Sequence, residues 1–83
     1  MNKDTEFSQT QNVETTDIVL AATLKVKGYK LVQIDKRGNR GTFCFADVHT
    51  EVLQEFDLGH ATVEPISFNN AIKALTSATR RIV

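Results

Sequence analysis

YKLVQIDKRGNRGTFCFA, residues 29–46, is the stretch whose reading decides the fold. Tyr29 to Asp35 reads as a strand, with Val32 and Ile34 alternating with Leu31, Gln33 and Asp35. Lys36 to Gly41 reads as a turn, because two glycines and Asn39 accept positive φ. Thr42 to Ala46 is the returning strand, with Phe43 and Phe45 on one face and Thr42, Cys44 and Ala46 on the other. Together they make a β-hairpin with a basic tip. A lone two-stranded hairpin is marginal in water, so the rest of the chain must supply helices for one face, with room for a third strand.

Upstream, Thr15-Thr16-Asp17 is a helix-start signal, since a Thr hydroxyl can accept from a free first-turn N–H and an acid suits the positive helix end. The helix runs from about Asp17 to Lys27, and Gly28 stops it. Leu20, Leu24 and Ala21 form one apolar stripe; Ile18, Val19, Ala22 and Val26 form a second. A surface helix needs one stripe, so two point to deep burial or to an additional protein interface, of which a homodimer is one form. Residues 1–14 are polar and read as a flexible tail or as an edge strand around Glu6 to Thr10, with Phe7 tucked inward.

Downstream, Asp47 or Thr50 is placed to cap a helix over about Val48 to Leu58, whose apolar face is Val48, Val52, Leu53 and Phe56 and whose C-terminal cap is Gly59. His60 to Val63 is a connection or a short strand. Glu64-Pro65 opens the last helix, where a first-turn Pro lacks no needed hydrogen bond. Phe68, Ala71, Ile72, Leu75, Thr79 and Ile82 recur there at spacings of three and four. The expected architecture is a two-layer α+β domain over residues 15–83, an antiparallel hairpin packed against three helices.

The 83 residues suffice for one domain, and 41% hydrophobic with 24% charged residues is a globular composition. The single cysteine, Cys44, excludes an internal disulfide and suits a reducing, cytoplasmic setting. No apolar run is long enough to span a bilayer, and Met1 to Glu6 lacks the pattern of a signal peptide. The net charge is zero, which argues against a bulk electrostatic nucleic-acid binder, but the charge falls in blocks. Lys25, Lys27, Lys30, Lys36, Arg37 and Arg40 lie between residues 25 and 41 with Asp35 as the one acid; residues 42–64 carry only acids. Lys73, Arg80 and Arg81 close the chain without an acid. Such blocks either cancel on folding or build a basic lobe for an acidic partner.

Catalytic and metal motifs are weak. Cys44 lies between two Phe, an apolar setting that makes a thiol inert and structural. One Cys with His49 and His60 does not give a zinc set. Glu51, Glu55 and Asp57 read as a solvated helix face. Gly38-Asn39-Arg40-Gly41 feeds a strand, whereas a phosphate loop feeds a helix. Arg40-Gly41-Thr42-Phe43-Cys44-Phe45 approaches the aromatic strand of RNA-recognition motifs, but the rings are offset by one position, which turns them to the opposite face; Phe43 and Phe45 are expected in the core. No catalytic residue, metal or cofactor is expected.

Four stretches carry a family likeness: Thr16-Asp17-Ile18-Val19-Leu20-Ala21-Ala22-Thr23-Leu24, Lys27-Gly28-Tyr29-Lys30-Leu31, Phe43-Cys44-Phe45, and Val63-Glu64-Pro65 with Phe68-Asn69-Asn70-Ala71-Ile72-Lys73-Ala74-Leu75. Over about Thr15 to Arg81 the chain resembles a family of small bacteriophage and mobile-element proteins catalogued as a domain of unknown function. The resemblance implies a stand-alone accessory role, in the host cytoplasm if phage-encoded, and transfers no functional residue. The leading expectation is a non-enzymatic protein that binds another protein, host machinery or defence among the candidates, through Ile18, Val19, Ala22 and Val26. The alternative is a nucleic-acid-binding module, using Lys25, Lys27, Lys36, Arg37 and Arg40 with Arg80 and Arg81 of the last helix.

Overall fold

Gly38 and Asn39 alone separate the two long strands of the hairpin. The computed structural model describes residues 9–82, with β2 over Lys30–Arg37 and β3 over Arg40–His49, so both strands run into the expected turn. Arg37 pairs with Arg40, and only Gly38 of the two turn residues has positive φ, +61°. A two-residue turn with glycine first matches the twist of paired strands. A third strand, β1 over Thr10–Thr15, lies antiparallel on the other side of β3, giving the order β1-β3-β2. The optional N-terminal strand therefore exists, but it is centred beyond Glu6 to Thr10, and residues 10–14 belong to the sheet. Phe7 lies outside the described residues.

Two bulges decide which side chains face inward. In β2 the register shifts between Leu31 and Gln33, so that Leu31 pairs with Phe45 and Ile34 with Phe43. Leu31 and Ile34 thus share the core face, and Val32 is 53% exposed. Strict alternation pairs Val32 with Ile34; the extra residue in the ladder breaks that period. In β3 the shift falls beside Asp47, which takes φ +56°. The bulge turns Val48 rather than Asp47 inward, and Val48 is completely buried. Val48 is therefore a strand residue of the core and not part of a helix face.

The helices are α1 over Ile18–Val26, α2 over Thr50–Asp57 and α3 over Pro65–Arg80. Asp17 caps α1 by accepting from the N–H groups of Val19 and Leu20 at 2.9 and 3.4 Å. Glu64 does the same for α3, accepting from Ile66 and Ser67. The N-cap position of α2 is His49, which makes no side-chain cap bond. Neither expected cap serves: Asp47 forms the bulge, and Thr50 donates its Oγ1 hydroxyl to the Gln9 carbonyl at 3.2 Å.

The core joins Phe43, Phe45 and Val48 of β3 to Ala21, Ala22 and Leu24 of α1 and Ala71 and Leu75 of α3. Both Phe rings lie inside, as their face predicts, at 3% and 0% exposure. Each large buried side chain contributes about 1.5–3 kcal/mol through the water it leaves. The small side chains of Ala21, Ala22 and Ala71 leave room for α1 and α3 to lie together over one sheet face. Ile18 shares the lining of one groove with Thr76 and Thr79 of α3, and Val19 and Thr23 share another with Phe68. The second stripe of α1 is partly covered in this position. Ala22 has no exposed surface, Ile18 and Val26 are half-buried against the core, and Val19 alone is largely open.

Candidate functional site

The hairpin tip and the last turns of α3 come from opposite halves of the sequence, and the fold brings them together at one end of the sheet. Between them lies a groove of about 690 Å³. Lys36 of β2, Arg40 of β3 and Arg80 of α3 border it, and among the described residues none that lines it is acidic. Asn39 of the turn, Thr16 before α1 and Thr76 of α3 add polar groups, and Ile18 and Phe43 supply the apolar floor. This is the size and mixed lining of a small-ligand site.

Each cation is positioned by a local reason. The two-residue turn holds Arg40 at the start of β3, directly beside Arg37. Lys36 donates its Nζ to the Ile82 carbonyl at 3.4 Å, which ties β2 to the end of α3. Arg80 sits in the last turn of α3, where a cation faces the negative end of the helix. Gly41 permits the close approach of the two halves: a Cβ there would meet Cγ2 and Oγ1 of Thr79 at 2.9 Å. Thr79 cannot swing aside freely, because its Oγ1 donates to the Leu75 carbonyl at 2.9 Å.

The other expected contact residues are dispersed. Arg37 lines a neighbouring groove on the open sheet face together with Glu14, Asp35 and Arg40, where acids and bases mix. Arg81 is the C-cap of α3 and does not border the acid-free groove. Lys25 and Lys27 close α1 at the far end of the domain, where Lys27 donates to the Thr62 carbonyl at 3.5 Å. The six residue steps from Lys30 to Lys36 along β2 correspond to about 20 Å. The basic block of residues 25–41 is therefore not one lobe; its two ends point to opposite ends of the sheet.

Cys44 is not the buried structural thiol its Phe neighbours suggest. Adjacent strand residues face opposite ways, so Cys44 lies half-exposed on the sheet face that no helix covers. Its Sγ is 3.7 Å from Oε2 of Glu14. Partial burial raises the thiol pKa, and the charges of Glu14 and Asp35 and the bond to Glu14 push it further up. His49 lies instead against Tyr29, whose hydroxyl is 2.8 Å from Nδ1. No group of three metal-ligating side chains gathers among the described residues. No helix among them is long and apolar enough to cross a membrane.

Thr16, Asn39 and Thr76 are the groove residues that sequence reasoning missed. The one signal available was in α3, where polar Thr76 and Thr79 follow Leu75 on a face that is apolar up to that point. The chain matches no protein-family model, no curated protein and no solved structure. The expected likeness to small phage and mobile-element proteins finds no support in these comparisons.

Proposed function

We propose that the protein is a non-catalytic nucleic-acid-binding module whose contact surface is the groove between the hairpin tip and the end of α3. The observation that carries the reading is that Lys36, Arg40 and Arg80 border one concavity with no acidic side chain among its described lining residues. A nucleic acid offers what such a place lacks, a phosphate within reach of each cation. Zero net charge is no obstacle, because the acids of residues 42–64 precede α3 and do not enter the lining. Binding to another protein through the apolar stripe of α1 has less to rest on, since Ala22 is buried and Ile18 and Val26 are half-buried, which leaves Val19 as its one largely open residue. An acidic protein segment remains the way a protein would use the same groove.

The test is fluorescence anisotropy with labelled single- and double-stranded oligonucleotides across a salt series. Three phosphate contacts predict a slope of log affinity against log salt of about −2 to −3. That is a loss of roughly twenty- to fortyfold between about 50 and 200 mM salt. The double variant Arg40→Glu/Arg80→Glu, checked for an unchanged circular dichroism spectrum, should abolish binding. Equal or tighter capture of polyglutamate, or no binding to any oligonucleotide at low salt, overturns the reading.

A further inference from the structure

Lys36, Arg40 and Arg80 border one concavity, with no acidic side chain among its described lining residues. A protein that tracks a continuous strand presents charge along the path of its backbone. Here the basic path is broken in one direction, because beyond Arg40 the surface mixes Arg37 with Glu14 and Asp35. In the other direction the next cations of the basic block, Lys25 and Lys27, lie at the far end of the domain. Three cations around a single concavity exceed what one internal phosphodiester, with one negative charge, requires. A phosphate monoester carries between one and a half and two charges at neutral pH, about twice as much. It also has three terminal oxygens to share among Lys36, Arg40 and Arg80.

The remaining lining fits what is attached to such a phosphate. Thr16, Thr76 and Asn39 supply hydroxyls and an amide, and Ile18 and the edge of Phe43 an apolar floor. A volume of about 690 Å³ has room for one nucleotide unit. We infer that the groove holds a nucleoside phosphate monoester: the phosphorylated end of a nucleic-acid strand. The phosphate sits among Lys36, Arg40 and Arg80 and its nucleoside over Ile18. This inference rests on the nucleic-acid reading above and narrows it from backbone to strand end. A free nucleotide shares the chemistry, and the experiment separates the two sources.

Binding of the full chain is measured by calorimetry to single strands of one sequence that carry a 5′-phosphate, a 3′-phosphate or hydroxyls at both ends, with adenosine monophosphate and inorganic phosphate as small probes. One of the phosphorylated strands should bind about tenfold or more tightly than the strand with hydroxyl ends, the scale of one or two charge-assisted hydrogen bonds. Arg80→Gln should erase that preference, and Thr76→Val should reduce it while leaving the fold intact. Lys25→Gln should leave it unchanged. Equal affinity for all three strands overturns the inference and leaves the nucleic-acid reading standing. Binding of adenosine monophosphate without binding of any strand overturns the strand-end assignment and the nucleic-acid reading together. Absence of binding to every probe overturns both as well.

Discussion

Gly41 shows how much of the groove depends on one missing atom. Its backbone would suit other residues, since its φ is not positive, yet a Cβ there would overlap Thr79 on α3. Gly41→Ala should therefore cost about 1–3 kcal/mol by overpacking. In urea unfolding, Gly41→Ala/Thr79→Ala should lose less than the sum of its two single changes; strict additivity would show that the two do not touch. Cys44 carries a second expectation at this scale. Its folded-state pKa lies above the ordinary thiol value, so the folded state holds the thiol proton more tightly than the unfolded chain does. Its contribution to stability is complete at neutral pH and fades as pH rises through the folded pKa. Thiol alkylation should accordingly have its pH midpoint above that of a free cysteine, and Glu14→Gln should lower that midpoint by removing a nearby charge. A midpoint indifferent to Glu14 would leave partial burial and Asp35 as the whole cause.

At the scale of the elements, the bulges and caps distinguish what was legible in the sequence from what was not. The start of α1 at Thr15-Thr16-Asp17, its stop at Gly28 and the opening of α3 at Glu64-Pro65 were readable, because each depends on chemistry within four residues, although the oxygen that caps α1 is that of Asp17 and not a Thr hydroxyl. Glu64 is held below the usual carboxylate range by the backbone N–H groups of Ile66 and Ser67 and by the Ser67 hydroxyl. Its stabilisation of α3 is thus present at neutral pH and disappears as pH falls through that lowered value. Glu64→Ala should remove this acid-side dependence and lower helicity at pH 7 by circular dichroism. The bulges were not readable, since an extra residue leaves no local mark: Val32 has the right chemistry for the core and is exposed only because Cys44 has two partners in β2. This has a direct consequence. Deleting Val32 would leave Leu31, Gln33 and Ile34 as a regular ladder against Phe45, Cys44 and Phe43. The deletion should fold with the same near-native spectrum and lose no more than about 1 kcal/mol, within the range of a surface change. A molten or unfolded product would mean that the bulge itself supports the fold. At Asp47 the bulge needs the left-handed region, so Asp47→Val should cost about 1–2 kcal/mol and Asp47→Gly should not.

For the whole molecule, what matters is which parts of a linear charge pattern arrive at the same place. Lys36 and Arg40 flank one turn and could be placed together from sequence, whereas Arg80 joins them only through the packing of α3 on the sheet, which no local pattern encodes. The same packing sends Lys25 and Lys27 to the other end, although they are nearer in sequence to Lys36 than Arg80 is. Distance then decides function by screening. Charges about 20 Å apart along β2 are separated by roughly two Debye lengths at about 0.1 M salt, where the screening length is about 10 Å. Lys25→Glu/Lys27→Glu should hence change oligonucleotide affinity by less than about twofold at that ionic strength, while Arg40→Glu/Arg80→Glu removes binding. At about 0.01 M the screening length grows to about 30 Å, and the distant pair should begin to matter. Arg37→Glu should fall between the two, because Arg37 borders the neighbouring groove of mixed charge and not the one that Lys36, Arg40 and Arg80 share. If reversal at Lys25 and Lys27 weakens binding as much at about 0.1 M as reversal at Arg40 and Arg80, the nucleic acid spans the domain from end to end, and a local groove cannot be its site.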